Sequence, residues 1–263
     1  MYLSDFIKER LSLEEYSFSK DELHATSQKD KSALTTDLSY LTKKGEIIPL
    51  RKGFYLIIPP RYSRQGKLPI ELYIDKLFKY LKKDYYLGLY SAAKFHGASH
   101  QQIQRDYIVT APPTLLDIKK ATIDIRFFTA SNWPQKNIIT KKSDAGNFKI
   151  SDAALTSVDL IYHQTKLGGI NRMLAIIEEL LEEIKIGNLK DLLSWYPHKS
   201  ILQRLGFLME ELQADTELKE LLFNHLNEQT YFPVLLSPKS KEKPGAVTNI
   251  WKVDINIKLE NDI

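Results

Sequence analysis

Along the first 58 residues, the apolar positions recur with a helical period and then switch to a strand period. Leu3, Phe6, Ile7 and Leu11 fall on one side of a helix over about 3–15. Ser19, with Glu22 three residues later, has the spacing of a capping box and opens a second helix carrying Leu23 and Ala25. Thr26-Ser27-Gln28 is polar and predicts a turn. Leu34, Leu38 and Leu41 then share one face of a third helix over about 29–44, which Gly45 stops. Glu46 to Leu50 and Phe54 to Ile58 read as two short strands joined through Arg51-Lys52-Gly53.

Three helices followed by a tight hairpin predict a winged helix-turn-helix over 1–60. That unit sets one helix in a DNA major groove and a hairpin on the adjoining backbone. Residues 61–69, within a stretch holding three prolines and a glycine, have no apolar period and are expected to form a linker. Beyond them helices and strands mix, which predicts a larger C-terminal domain over 70–263. A helix is expected over about 70–82 and another from Ser91 to Gly97. Tyr107 to Thr110 and Ile123 to Phe128 have the look of strands. A helix capped by Ser151 should run to about 163, Gly168-Gly169 should break the chain, and four helices should follow to about 228. Trp251 to Leu259 alternates strictly, so a last strand is expected to rejoin the sheet. The fold class is therefore α+β, a winged helix-turn-helix followed by a mixed α/β domain.

Charge sharpens this picture. The net charge of the 263 residues is only +4, but residues 29–67 hold nine basic side chains against three acidic ones. Residues 177–228 turn acidic through Glu178, Glu179, Glu182, Glu183, Glu210 and Glu211, among others. One segment is built to meet an anion and a distant one is not. At 100° per residue from Leu34, the opposite face of the third helix carries Lys29, Ser32, Thr36, Ser39 and Lys43, with Gln28 and Thr35 at its edge. Lys31 belongs to the same basic run. These side chains reach base edges and phosphates, and Arg51 and Lys52 would add two cations at the hairpin tip. The expected partner is double-stranded DNA. The plainer reading is a solvated helix face beside a surface hairpin.

The remaining chemistry is sparse. Cysteine is absent, which excludes disulfides and thiolate metal sites and fits a reducing, cytoplasmic setting. No signal peptide and no membrane-spanning run is read from the sequence. His96 and His100 are four apart, but Gly97 lies between them and no carboxylate supports a metal there. Asp124 and Arg126 on one strand lack the partner carboxylates that a two-metal nuclease needs. Phosphate-loop, dinucleotide and nucleophile-serine patterns are missing. No catalytic, metal or cofactor residues are assigned. The glutamates around Leu180 and Leu181 read first as a solvated helix face and second as a docking surface.

Several stretches together resemble a known family. Lys43-Lys44-Gly45-Glu46-Ile47 and Arg51-Lys52-Gly53-Phe54-Tyr55, then Ser91-Ala-Ala-Lys-Phe-His-Gly-Ala-Ser-His-Gln101, are similar to AbiEi-type antitoxins of bacterial abortive-infection systems. Arg204-Leu-Gly-Phe-Leu-Met-Glu210 and the closing Trp251…Asn256…Glu260 fit the same pattern. The resemblance implies an autorepressor binding inverted repeats in the promoter of a two-gene operon. It also implies a C-terminal domain that neutralises a cognate nucleotidyltransferase-like toxin without stable complex formation, and no enzymatic activity. It carries over no toxin-neutralising residues, because the matching motifs read equally well as packing elements. A ligand-responsive winged-helix regulator, which would not need a toxin gene beside it, is the alternative, and a winged-helix nuclease is a more distant one.

Overall fold

The computed structural model describes residues 2–64, 66–98, 104–240, 242, 245 and 247–260. The chain separates into two compact units, each assembled from three stretches: 1–86, 104–129 and 140–149 in the first, and 87–103, 130–139 and 150–263 in the second. The unit boundaries thus fall inside β4, β8 and β9 as defined below.

The first unit opens with α1 (Leu3–Ser12), β1 (Ser17–Ser19), α2 (Lys20–Thr26) and α3 (Lys31–Lys43), then β2 (Ile47–Arg51) and β3 (Phe54–Ile57). α1 ends three residues before its expected limit because Glu14 turns left-handed, at φ 56°. The Ser19 capping box forms as its spacing predicts: Ser19 Oγ accepts from the Glu22 N–H at 3.1 Å, and Glu22 Oε2 accepts from the Ser19 N–H at 2.6 Å. β1 was not anticipated from the residue pattern. It is three residues long and is held by antiparallel pairing with β3, so the sheet runs β1-β3-β2. Leu3, Phe6 and Ile7 of α1 pack with Phe18, Leu23, Leu34, Leu38, Ile47 and Ile57 in one core, with Leu11 and Leu41 at its margin. Phe18 anchors it, edge-on to Phe6 and stacked on Tyr55, each at 5.3 Å between centroids.

The stretch expected as a linker carries structure at its start and a buried side chain near its end. It begins as the single turn α4 (Pro60–Ser63), and Leu68 is fully buried. The helix expected over 70–82 is divided into a 3₁₀ turn, Ile70–Leu72, and α5 (Ile74–Leu81), which a left-handed Lys82 ends. The rest of this unit comes from a six-stranded sheet of order β6-β7-β5-β4-β9-β8, with β4 (Tyr85–Leu87), β5 (Asp106–Thr110), β6 (Ile118–Lys120), β7 (Ile123–Thr129), β8 (Ile138–Ser143) and β9 (Gly146–Ser151). β5 and β7 were legible from their apolar runs. β4, β6, β8 and β9 were not, since β4 and β6 are three residues each, β8 buries no residue, and β9 buries only Phe148, Ile150 and Ser151 toward its end.

The second unit is helical: α6 (Leu89–Phe95), α7 (Ala153–Tyr162), α8 (Gln164–Leu167), α9 (Leu174–Glu183), α10 (Ile186–Leu193), α11 (Lys199–Glu211) and α12 (Thr216–Asn227). The four helices expected after Gly168-Gly169 are α9 to α12. α7 is its centre, buried from Ala153 through Ile161 and packed by α6, α9, α10 and α11. A helix buried all round has nowhere to solvate its hydroxyls, so Thr156 and Ser157 donate to the carbonyls of Asp152 and Ala153 at 2.7 and 2.8 Å. Its cap is Asp152, which accepts from the Leu155 N–H at 2.9 Å, and not Ser151, which belongs to β9.

The strand expected over Trp251 to Leu259 does not form as such. Only β11 (Val253–Asp254) is a strand; it pairs in parallel with β10 (Val234–Leu235) and joins no larger sheet. The apolar alternation fails at its centre, where Ile255 is exposed and Asn256 is buried. Asn256 substitutes for the ladder, bonding the Ser237 N–H and carbonyl at 2.9 and 2.8 Å. Among the described residues, no helix is long and apolar enough to cross a membrane.

Candidate nucleic-acid interface

The N-terminal elements fix α3 from behind and from both ends. Leu34 and Leu38 bury its inner face, and Asp30 caps it by accepting from the Ala33 N–H at 2.8 Å. Gly45, at φ +72°, lets the chain turn away where a side chain would be strained. What remains outward is Lys31, Ser32, Thr35, Thr36, Ser39, Tyr40 and Lys43, with Gln28 exposed just before the helix.

The hydroxyls on this face are already committed as donors. Thr35, Thr36 and Ser39 donate to the carbonyls of Lys31, Ser32 and Thr35, at 2.8, 3.3 and 2.9 Å. Their oxygens therefore present lone pairs outward and suit the amino groups of adenine N6 and cytosine N4. Lys31 and Lys43 provide the complementary donors, for phosphates or for guanine O6 and N7. Lys20, at the start of α2, points its ammonium at Thr35 Oγ1 at 3.3 Å and adds a cation to this face. Tyr40 is 57% exposed beside it, with the Lys44 ammonium 4.6 Å from its ring centroid. Neither Lys20 nor Tyr40 was singled out in the sequence, although Tyr40 lies within the same wheel sector as Thr36.

Two of the expected cations are occupied elsewhere. Lys29 is half-buried, 2.6 Å from Asp37 Oδ2 and over the Tyr2 ring, so its charge ties the turn to α3. The Arg51 guanidinium donates through Nη2 to the Leu116 carbonyl and lies 5.4 Å over the Phe127 ring. Burial draws its pKa down, with Asp117 opposing. A helical wheel and a hairpin register report direction relative to one element, and they could not show these neighbours.

Lys52 does face solvent, at a tip that is rigidly held. The Tyr80 hydroxyl donates to the Lys52 carbonyl at 2.9 Å, and a Cβ on Gly53 would lie 2.6 Å from that same oxygen. Gly53 also has φ +76°, so two separate constraints require glycine there. Arg61 is paired with the Tyr16 hydroxyl at 2.7 Å.

The motifs noted in the second unit are packing elements. A Cβ on Gly206 would lie 2.1 Å from the Trp251 ring, so the glycine is the gap that receives the indole. Gln203 donates to the carbonyls of Phe232 and Trp251, both at 3.0 Å. Arg204 donates through Nε to the Leu235 carbonyl at 2.8 Å, with its pKa drawn down by burial. Ala92 and Ala93 are fully buried where α6 meets α7, and His96 Nε2 donates to the Ser151 carbonyl at 2.8 Å. His100 and Gln101 lie outside the described residues. The glutamates Glu178, Glu182 and Glu183 of α9 are exposed. Among the described residues, no group of three or more histidines and carboxylates could hold a metal ion.

Residues 86–211 match the family model described as the AbiEi antitoxin C-terminal domain. No curated protein matches the chain. A solved structure, the RV2827C protein from Mycobacterium tuberculosis, superposes with a TM-score of 0.67 at 15% identity, covering 95% of this chain and 89% of that one. It shares the fold. An antigenic nucleotidyltransferase-like protein from Paracoccidioides brasiliensis aligns at a TM-score of 0.33 and 10% identity, covering 54% of this chain and 89% of that one.

Proposed function

We propose, from the premise that residues 86–211 belong to the AbiEi antitoxin C-terminal domain family, that the chain is a toxin–antitoxin autorepressor. It represses its own operon through an N-terminal winged helix-turn-helix and neutralises a nucleotidyltransferase-like toxin through its larger part. In this reading α3 is the recognition helix, β2–β3 is the wing, and the operator is an inverted repeat bound by two copies. Gln28, Lys31, Ser32, Thr35, Thr36, Ser39 and Lys43 meet the major groove, and Lys52 meets the adjoining backbone. The protein acts by binding and carries out no catalysis.

The observation that carries the reading is the outward face of α3. It is a row of hydroxyl acceptors flanked by lysines, on a helix whose opposite side is sealed into a core. Hydroxyl acceptors set between lysines offer partners for both the base edges and the phosphates of a duplex. Titration of the full chain against the duplex upstream of its own gene tests this. Binding should weaken steeply with salt, and Lys43→Ala should reduce the slope of log affinity against log salt by about 0.9. Unchanged binding and slope in a Thr36→Val, Ser39→Ala, Lys43→Ala variant would remove the assignment. The antitoxin half is tested by co-expression: growth restored to cells making the neighbouring toxin supports it, and continued arrest by a folded, soluble chain refutes it.

A further inference from the structure

We propose that the β6–β7 hairpin is a second basic finger on the DNA backbone, with Lys119 and Lys120 extending the line begun by Lys52 at the wing. The inference rests on the DNA-binding reading above and adds a surface which that reading does not include. Four observations within the first unit support it.

First, β6 packs against β2, so this hairpin neighbours the wing itself. Second, Arg51 ties the two together: its guanidinium spans from the wing to the Leu116 carbonyl, just before β6, and covers Phe127 of β7. That contact gives Arg51 a positioning role, holding Lys52 and the second hairpin in one fixed arrangement. Third, the acids of the hairpin are already engaged. Asp124, directly opposite Lys119 in the register, has both oxygens on Arg105, at 3.0 and 2.9 Å. Asp117 accepts from the Phe127 N–H at 2.9 Å. Lys119 and Lys120 are left exposed and, among the described residues, in no ion pair. Fourth, the tip is anchored, since the Thr122 hydroxyl donates to the Gly66 carbonyl beside a left-handed Ala121. Two exposed lysines beside a pinned turn supply positive charge for the phosphates of a duplex strand.

The test uses the full chain, a mixed-sequence duplex and the duplex upstream of its own gene. Lys119→Ala, Lys120→Ala should flatten the salt slope by about 1.8 on both duplexes and weaken binding on the order of tenfold near physiological salt, leaving sequence preference intact. Lys119→Arg, Lys120→Arg should retain the slope, which separates lost charge from lost folding, and the melting temperature should stay within the wild-type range. Arg51→Lys keeps the charge but not the planar clamp. It should weaken binding while changing the slope by less than the double alanine variant does. If the double alanine variant binds with the wild-type slope while Lys43→Ala flattens it, the second finger is overturned and the DNA-binding reading stands. If Lys43→Ala also leaves slope and affinity untouched, both fall together.

Discussion

The two units use their most distinctive residues in opposite directions. The first holds 23 basic and 16 acidic side chains, a net +7, and turns its hydroxyl and lysine pattern outward. The second holds 14 basic and 17 acidic side chains, a net −3, and turns its distinctive Arg204, Gly206, Trp251 and Asn256 inward. A recognisable pattern therefore means a surface in one unit and a core in the other. The family motifs of the second unit describe how it is packed, and whatever meets a toxin must be sought on its exposed side chains. The acidic charge there also opposes any use of that unit as a general DNA clamp.

The largest effects should come from breaking the inward pattern. Trp251→Ala empties the space that Gly206 provides and should cost about 3–5 kcal/mol by chemical denaturation. Gly206→Val overfills the same space and should cost about 1–3 kcal/mol or more. Retained stability in both variants would mean that the motif is not a packing device and would erase the contrast between units. Next, Thr36→Val should cost about 1–3 kcal/mol of affinity at one base position only, because the acceptor lone pair is lost while its neighbours remain. Uniform weakening across operator variants would recast Thr36 as a backbone contact. Ser19→Ala should then lower stability by about 1 kcal/mol through loss of the cap, with weaker DNA binding only as far as α2 frays.

The smallest expected effect is pH-dependent and belongs to the second unit. Burial draws the His198 pKa below 6.5, and its ring lies against Tyr162 and Tyr196 at 4.9 and 5.5 Å. The unfolded chain therefore takes up that proton more readily than the folded one, and stability falls as pH drops below the ordinary histidine range. His198→Phe should flatten the stability profile between about pH 7 and 5.5. An unchanged profile would assign the acid sensitivity to other groups.

The helices of the N-terminal module could be read in advance because three local signals agree: apolar period, capping box and terminal glycine. α9 to α12 could be read from the apolar period alone, since their leucines mark one face each. The strands resisted for different reasons. β1 and β4 are three residues each and exist by virtue of what they pair with, and β8 exposes too much of its length to show a period. The C-terminal run was misleading because alternation records burial only while the backbone stays extended. Asn249 bonds the Val253 backbone in both directions and Lys252 turns left-handed at φ 52°, which breaks that condition. For the α3 face, exposure could be read from the wheel for every residue except Lys29. Long-range partners could not: Asp37 for Lys29 is eight residues away and Leu116 for Arg51 is 65.

Each unit is stitched from three separated stretches of chain. A ribosome must release residue 149 before the charged half can close, by which time parts of the other half already hang between its pieces. No single cut yields either half whole, so a protease that opens one loop threatens the integrity of both units together. Gene rearrangement is equally constrained: a crossover at any one point transfers neither unit whole.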